Sequence, residues 1–173
     1  MKTILSASQI DITIKRLAHQ ILENHPDFTD TVIIGIQPRG IYLSDRLVNA
    51  LQNISNDTPI PYGKLDITFY RDDVRNEIKI ANKTDIPFSI ENKKVVIVDD
   101  VLWTGRTIRS ALDALLDFGR PASVALCVLI DRRFSRQLPI HADYTGRAID
   151  TFASQKVFVR WREVHGQDEV VLD

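Results

Sequence analysis

Val-Val-Ile-Val-Asp-Asp-Val-Leu-Trp-Thr-Gly-Arg-Thr, residues 95–107, is the stretch that decides the fold. Its first four residues form a continuous β-branched run, which is typical of a strand buried on both faces of a parallel sheet. Asp99 and Asp100 follow at the carboxyl end of that strand, where open α/β sheets bind their ligands. Thr104–Thr107 then open a helix whose apolar residues recur at helical spacing, and Gly119 predicts where it ends. The stretch predicts a strand, paired carboxylates, a loop and a helix, in that order.

This order of residues suits a phosphorylated sugar. A helix N-terminus presents unpaired backbone N–H groups and the positive end of the helix dipole, and both favour a phosphate. Gly105 allows the backbone to come close, Thr104 and Thr107 add hydroxyl donors, and Arg106 adds a positive charge. Carboxylates just before the loop can accept hydrogen bonds from vicinal sugar hydroxyls or lie near Mg²⁺. The alternative, an exposed Asp-Asp turn before a capped helix, is disfavoured by the order of strand, carboxylates, glycine and threonine.

A second segment has the same strand, loop and helix order. Thr31–Ile36 predicts a short strand, Gln-Pro-Arg-Gly at 37–40 breaks it, and a helix follows from about residue 41 to residue 51. Gly35 and Gly40 flank Arg39, as an anion site built from backbone N–H groups and a guanidinium would require. Taken alone, the segment fits a plain turn with an incidental arginine equally well.

The remaining chain alternates between helical and strand patterns. Residues 8–24 predict an amphipathic helix with a capping box of Ser8 and Asp11. Further strands are expected at Leu65–Tyr70 and over 123–130, 143–149 and 157–161. The polar segment from 71 to 90, which contains Arg71, Arg75, Lys79 and Lys83, has no clean period. A loop of that length in a compact domain is usually functional or disordered, and for residues other than Arg71 a flexible surface hairpin stays an alternative.

Composition narrows the class of protein. A chain of 173 residues can bury one core, and its net charge of −1 does not indicate nucleic acid binding. Cys127 is the one cysteine, which excludes an intrachain disulfide and fits a reducing compartment. The sequence has neither a signal peptide nor an apolar run of bilayer length, so we expect a cytoplasmic protein without a membrane span.

Residues 95–107 resemble the phosphoribosyl pyrophosphate (PRPP) motif of type I phosphoribosyltransferases. More narrowly, the chain resembles the pyrimidine operon attenuation regulator/uracil phosphoribosyltransferase family. The matching segments are Gly-Ile-Gln-Pro-Arg-Gly-Ile-Tyr-Leu at 35–43, Asp-Ile-Thr-Phe-Tyr-Arg-Asp-Asp at 66–73, Gly-Arg-Pro at 119–121 and Leu-Pro-Ile-His-Ala-Asp-Tyr at 138–144. The resemblance covers nearly the whole chain. It implies an α/β, type I phosphoribosyltransferase fold: a single domain over residues 1–173, with a parallel central sheet flanked by helices and a small hood.

The resemblance implies an enzyme that makes UMP and pyrophosphate from uracil and PRPP. Asp99, Asp100 and Arg71 would be catalytic, with Mg²⁺ carried by PRPP near the two carboxylates and no metal bound directly by the protein. The region from 71 to 90 would be a mobile lid. Pro38 departs from the small residue often found there and removes one N–H donor. The implied substrate-binding residues are Pro38, Arg39, Gly40, Val101, Leu102, Trp103, Thr104, Gly105, Arg106, Thr107, Arg132 and Val157.

The resemblance also implies a second role, in which a homodimer or higher homo-oligomer binds the mRNA leader of a pyrimidine operon through a basic surface. The matching residues are Lys15, Arg16, His19, His141 and Arg147. His141 is mostly neutral at pH 7 and therefore a weaker phosphate contact than arginine. Two alternatives stay open: an RNA-binding regulator with little catalytic activity, and a purine phosphoribosyltransferase, which shares the PRPP motif and differs in the hood.

Overall fold

The computed structural model describes residues 1–56, 58–72, 81 and 83–173. Within them the elements follow one another as β1 (Lys2–Leu5), α1 (Ala7–Asn24), β2 (Thr31–Gln37), α2 (Gly40–Ile54), β3 (Tyr62–Asp66), a 3-10 turn (Thr68–Tyr70), β4 (Lys94–Leu102), α3 (Arg106–Leu115), β5 (Ser123–Arg133), β6 (Tyr144–Asp150), β7 (Val157–Arg160), α4 (Arg162–His165) and β8 (Glu169–Leu172). Over the described ranges, every helix is too short or too polar to traverse a bilayer.

The main sheet has five parallel strands in the order β3-β2-β4-β5-β6. Its central strand β4 is buried on both faces, as the β-branched run predicts. Because successive side chains point to opposite faces, Val96 and Val98 pack with α1 and α2, whereas Val95 and Ile97 pack with α3. The α/β fold expected from the sequence is therefore confirmed, and the sheet has a core on each side.

A smaller antiparallel sheet joins the two ends of the chain. Its strand order is β1-β8-β7, so that the first strand of the chain pairs with the last. This sheet corresponds to the expected hood. Trp161, which follows β7, is 1% exposed and packs into the core shared with α1 and α2.

Three local expectations differ from the structure. Strand β4 continues to Leu102, so the two carboxylates lie inside it, because pairing with β5 extends through Asp99 and Val101. The capping box of α1 uses Ser6 and Gln9 instead of Ser8 and Asp11.

The third difference concerns the strand expected at Leu65–Tyr70. Strand β3 ends at Asp66, and a 3-10 turn follows it. The Asp66 carboxylate accepts hydrogen bonds from the Thr68 hydroxyl at 2.7 Å and from the Thr68 backbone N–H at 3.4 Å. Such a side-chain bond to the following backbone competes with strand pairing, which is why the alternating pattern does not continue as a strand.

Candidate active site

A cavity of about 550 Å³ opens at the carboxyl ends of β2, β4 and β5, the edge at which open α/β sheets bind ligands. Its wall contains every substrate-binding and catalytic residue expected from the sequence except Gly40. Residues that the sequence did not single out also line it: Ile36, Gln37, Ile67, Ile108, Gln137 and Lys156.

Two buried carboxylates lie in the wall of this cavity. Asp99 and Asp100 are 6% and 5% exposed, and the Asp100 backbone N–H donates to Asp99 Oδ1 at 2.9 Å. The Val101 N–H donates to Asp100 Oδ1 at 2.8 Å, whereas Asp100 Oδ2 is buried without a hydrogen-bond partner among the described residues. That oxygen is an unused acceptor beside a cavity.

In both carboxyl groups the surroundings disfavour the ionised form relative to the protonated form. Burial, and next the neighbouring Asp100 carboxylate, raise the pKa of Asp99 well above its usual range, while Arg71 acts in the opposite direction. Burial also raises the pKa of Asp100, against which Arg39 acts. The two carboxylates are therefore suited to a ligand that supplies hydroxyl donors or positive charge.

Gly105, the residue immediately before α3, has a φ of 94°, a conformation that L side chains rarely adopt. A Cβ at this position would also approach Ile140 Cγ1 to 3.0 Å. Thr104 Oγ1 accepts a hydrogen bond from the Arg106 backbone N–H at 3.3 Å. A tight turn thus places the N-terminus of α3 at the cavity. The backbone N–H groups at a helix N-terminus can bind an anion there.

The Arg106 guanidinium connects this turn to two other segments. Its Nη1 lies 3.0 Å from Asp72 Oδ2, and its Nε donates to Gln137 Oε1 at 2.7 Å. Gln137 is brought here because its backbone N–H donates to the Thr104 carbonyl at 2.9 Å. No local sequence pattern marks Gln137, since its position depends on how the loop after β5 folds back.

Gly40 is the one expected substrate-binding residue that is not part of the cavity lining. It lies behind the cavity wall, where a Cβ would meet the Val98 carbonyl oxygen at 2.6 Å and Asp99 Oδ1 at 3.1 Å. Its neighbours Pro38 and Arg39 do line the cavity, and the Gln37–Pro38 peptide bond is cis. Gly40 therefore sets the distance between α2 and β4.

Arg71 lies in the cavity wall, at the start of the segment expected to form a lid. Of the other basic residues in that segment, Lys83 is near the site, since its backbone carbonyl accepts a hydrogen bond from Gln37 Nε2 at 2.6 Å. Arg75 and Lys79 lie outside the described residues.

The far end of the cavity is formed by Trp103, Arg132, Lys156 and Val157. Lys156 is fixed through its backbone, whose N–H and carbonyl pair with those of Asp173 at 2.9 Å each. Its position next to Val157 is the sequence signal that could have identified it.

The residues expected to contact RNA lie in α1, in β6 and in the loop before β6. Arg16 donates to the backbone carbonyls of Thr145, at 3.4 Å, and Gly146 in β6. Arg147 donates to the Ile4 carbonyl at 2.9 Å. Arg16 thus links α1 to β6, and Arg147 links β6 to β1.

The other three residues expected to contact RNA are also exposed. Lys15 pairs with Asp11 at 2.7 Å, and together with His19 it lines a second cavity of about 480 Å³ between α1 and α2. The His141 side chain is 86% exposed and lies 3.9 Å from Asp143. No contact joins His141 to the other four in the described part of the chain.

The fold and the first cavity define a phosphoribosyltransferase. The family of the phosphoribosyl transferase domain matches residues 1–162. A hypoxanthine phosphoribosyltransferase from Staphylococcus aureus superposes with a TM-score of 0.72 at 25% identity, covering 98% of this chain and 90% of that one. The enzyme of the same name from Trypanosoma cruzi gives 0.72 at 21% identity, over 99% and 95% of the two chains, and shares the fold.

Proteins of similar sequence identify the family of phosphoribosyltransferases to which the chain belongs. Three proteins named bifunctional protein PyrR are similar over nearly their full length: 49% identity in Chloroflexus aurantiacus (99% of this chain, 94% of the relative), 44% in Bacillus velezensis (98% and 94%) and 42% in Enterococcus faecalis (99% and 96%). The chain belongs to the bifunctional PyrR family of phosphoribosyltransferases, as the sequence motifs predict.

Proposed function

We propose that the protein transfers the phosphoribosyl group of PRPP to uracil, forming UMP and pyrophosphate, and that it also binds pyrimidine operon mRNA. The observation that carries the catalytic half is a single cavity whose wall contains two buried carboxylates, a glycine turn at a helix N-terminus and arginines from two loops. The pairing of the first and last strands supports one domain over residues 1–173 as the working unit.

Each part of PRPP has a matching part of the wall. Asp99 and Asp100 accept hydrogen bonds from the ribose O2 and O3 hydroxyls, which relieves the disadvantage of their buried charge. The turn from Thr104 to Thr107 binds the 5′-phosphate through backbone N–H and hydroxyl donors. Arg39 and Arg71 attract the pyrophosphate.

The donor set fits Mg²⁺ that arrives on PRPP. Mg²⁺ is commonly held by one or two carboxylates together with substrate phosphates, and Asp100 Oδ2 is an unused buried acceptor. The described residues contain no cluster of three or more ligand side chains that could hold a metal without a substrate. When bound, the ion would neutralise the negative charge that develops on the departing pyrophosphate.

The reaction requires little covalent work from the protein. The bond from C1′ of the ribose to pyrophosphate breaks as the ring nitrogen of uracil approaches, through a transition state resembling an oxocarbenium ion. The residues of the wall hold the ribose and the base in line, and the guanidinium groups stabilise the departing pyrophosphate. The hood covers the base end and limits access of water.

Pyrophosphate release from PRPP and Mg²⁺ tests the catalytic half. Uracil, hypoxanthine, guanine and adenine are offered separately to the wild type and to Asp99→Asn. We expect turnover with uracil and a loss of at least about 100-fold in the variant, in line with the removal of one group that acts in the transition state. Turnover with a purine alone would keep the PRPP site and refute the pyrimidine assignment.

The RNA half rests on the basic residues around α1 and on the family to which the chain belongs. We propose that a cytoplasmic homodimer presents them together. Arg16 is unsuited to a clean test because its guanidinium holds β6. The double variant Lys15→Ala with His19→Ala changes only exposed side chains. In a gel-shift assay its affinity for a leader transcript should be lower than that of the wild type, while its uracil turnover is unchanged. Unaltered binding would exclude the α1 surface.

A further inference from the structure

Arg132 is a buried cation that has no counter-ion among the residues that the structure describes. The residue is 4% exposed, and no carboxylate of the described residues lies within 4.0 Å of its guanidinium. The nearby acids have other partners, since Asp131 pairs with Arg136 at 2.5 Å and Asp150 with Arg133 at 2.8 Å. Burial lowers the pKa of the Arg132 guanidinium, as expected for an unpaired cation, yet an arginine stays charged at neutral pH.

Neutral groups fix the orientation of this guanidinium. Nε donates to Thr151 Oγ1 at 3.0 Å, and Nη2 donates to the carbonyl oxygens of Gln155 at 2.9 Å and Phe152 at 3.5 Å. Its Cζ atom lies over the ring of Trp103, 4.9 Å from the ring centroid. These contacts hold the cation between the turn before β7 and the phosphate turn, and they leave its charge uncompensated.

One nitrogen of Arg132 remains available to a ligand. Nη1 donates to no described residue, and it is not among the fully buried nitrogens that lack a partner. Because Arg132 lines the cavity, Nη1 is the part of the group that a bound molecule can reach. The charged residues lining the same cavity are Asp99 and Asp100 at the ribose end, Arg39, Arg71 and Arg106 on the phosphate side, and Lys156 in the hood.

We propose that Arg132 selects the ring-deprotonated anion of an oxo-pyrimidine as the reacting form of the base. This inference rests on the proposed function. It identifies Arg132 as the positive charge that stabilises the base anion in a reaction that proceeds without a general base. A fixed donor with an uncompensated positive charge in a buried site favours an anion over the neutral base. The ring N–H gives its proton to solvent, and the nitrogen lone pair of the anion forms the bond to C1′ of PRPP. The C1′–O bond breaks, and its electron pair leaves with pyrophosphate.

Comparing bases of different acidity tests this role. We compare kcat/KM for uracil with that for 5-fluorouracil, whose ring N–H is more acidic because fluorine withdraws electrons. Arg132→Gln should lower kcat/KM for uracil by about 10- to 100-fold, the usual effect of losing a charged hydrogen bond. Arg132→Gln should lower kcat/KM for 5-fluorouracil by a smaller factor. The ratio of kcat/KM for 5-fluorouracil to kcat/KM for uracil should therefore rise. Arg132→Lys, which keeps the charge, should hold this ratio near that of the wild type.

Thr151→Val is the matched control, because it removes one of the contacts that orient Arg132 and leaves the charge in place. It should lower kcat/KM for both bases by the same factor. If Arg132→Gln also lowers both equally, Arg132 only positions the turn and the proposal is overturned. Absence of uracil turnover in the wild type would instead refute the proposed function.

A measurement on the wild type covers the case in which Arg132→Gln does not fold, as judged by circular dichroism. Barbiturate is an anionic pyrimidine ring at neutral pH, whereas dihydrouracil is a neutral one. Barbiturate should compete with uracil at least about 10-fold more tightly than dihydrouracil does, which corresponds to one charged contact. Equal or weaker inhibition by barbiturate would overturn the proposal.

Discussion

Gly40→Ala tests whether the site depends on how closely α2 approaches β4. The new Cβ would lie 2.6 Å from the Val98 carbonyl oxygen, 3.1 Å from Asp99 Cα and 3.1 Å from Asp99 Oδ1. Real Cβ atoms are essentially never found within 3.0 Å of such atoms, so α2 and β4 must separate by about 0.4 Å, the difference between 2.6 and 3.0 Å. The shift moves a carboxylate of the site and the loop that carries Arg39.

The expected losses of stability and of kcat/KM can be estimated from this displacement. Overpacking against backbone costs about 1–3 kcal/mol, and alanine recovers about 0.5 kcal/mol through its lower backbone entropy in the unfolded chain. A net loss of about 0.5–2.5 kcal/mol lowers Tm by about 1–10 °C in a domain of this size. Since a misplacement of about 1 Å can lower rates about 100-fold, a shift of about 0.4 Å should lower kcat/KM about 5- to 10-fold.

Thermal unfolding and pyrophosphate release measure the two effects in the same preparations. The matched control is Gly166→Ala, at a position with φ of 79° where nothing lies within 4 Å of the added Cβ. Backbone strain at that position costs about 1–2 kcal/mol. The control should therefore lose similar stability with unchanged kcat/KM. A Gly40→Ala protein with wild-type Tm and kcat/KM would refute the steric argument.

Three further predictions concern charge and reactivity. Because burial and Asp100 raise the pKa of Asp99, the folded protein holds that proton more tightly than the unfolded chain does, and stability falls as pH rises from 3.8 through the folded pKa. The free energy of unfolding of Asp99→Asn does not fall in this way. Urea unfolding without substrate at pH 8 should therefore give a higher free energy of unfolding for this variant than for the wild type, and an equal or lower value would contradict the argument. Burial raises the pKa of the Cys127 thiol to about 12, so Ellman's reagent at pH 8 should detect no thiol in the folded protein and one in urea. Asp72→Asn releases the half-exposed Arg106, with which it pairs at 3.0 Å, and KM for PRPP should fall by up to about 5-fold at low salt, whereas an increase would argue against competition between Asp72 and phosphate.

Much of the site could be predicted because its residues are close in sequence. The carboxylates, the glycine turn and the start of α3 lie within residues 95–107, and the structure keeps them together in one wall. The strand at Leu65–Tyr70 and the capping box at Ser8 were wrong, because side-chain bonds to the backbone decide where those elements end or begin. Patterns of hydrophobicity do not contain that information.

The sequence by itself determined the α/β class, the parallel sheet and the glycine turn before α3, since β-branched runs, helical periodicity and glycine act locally. Tertiary structure decided which distant groups meet there. Gln137 and Lys156 reach the cavity through backbone pairing with Thr104 and Asp173, and Gly40 is withdrawn behind the wall by its contact with β4. Only the tertiary structure shows that no described carboxylate pairs with Arg132, because this depends on the partners that Asp131 and Asp150 find elsewhere.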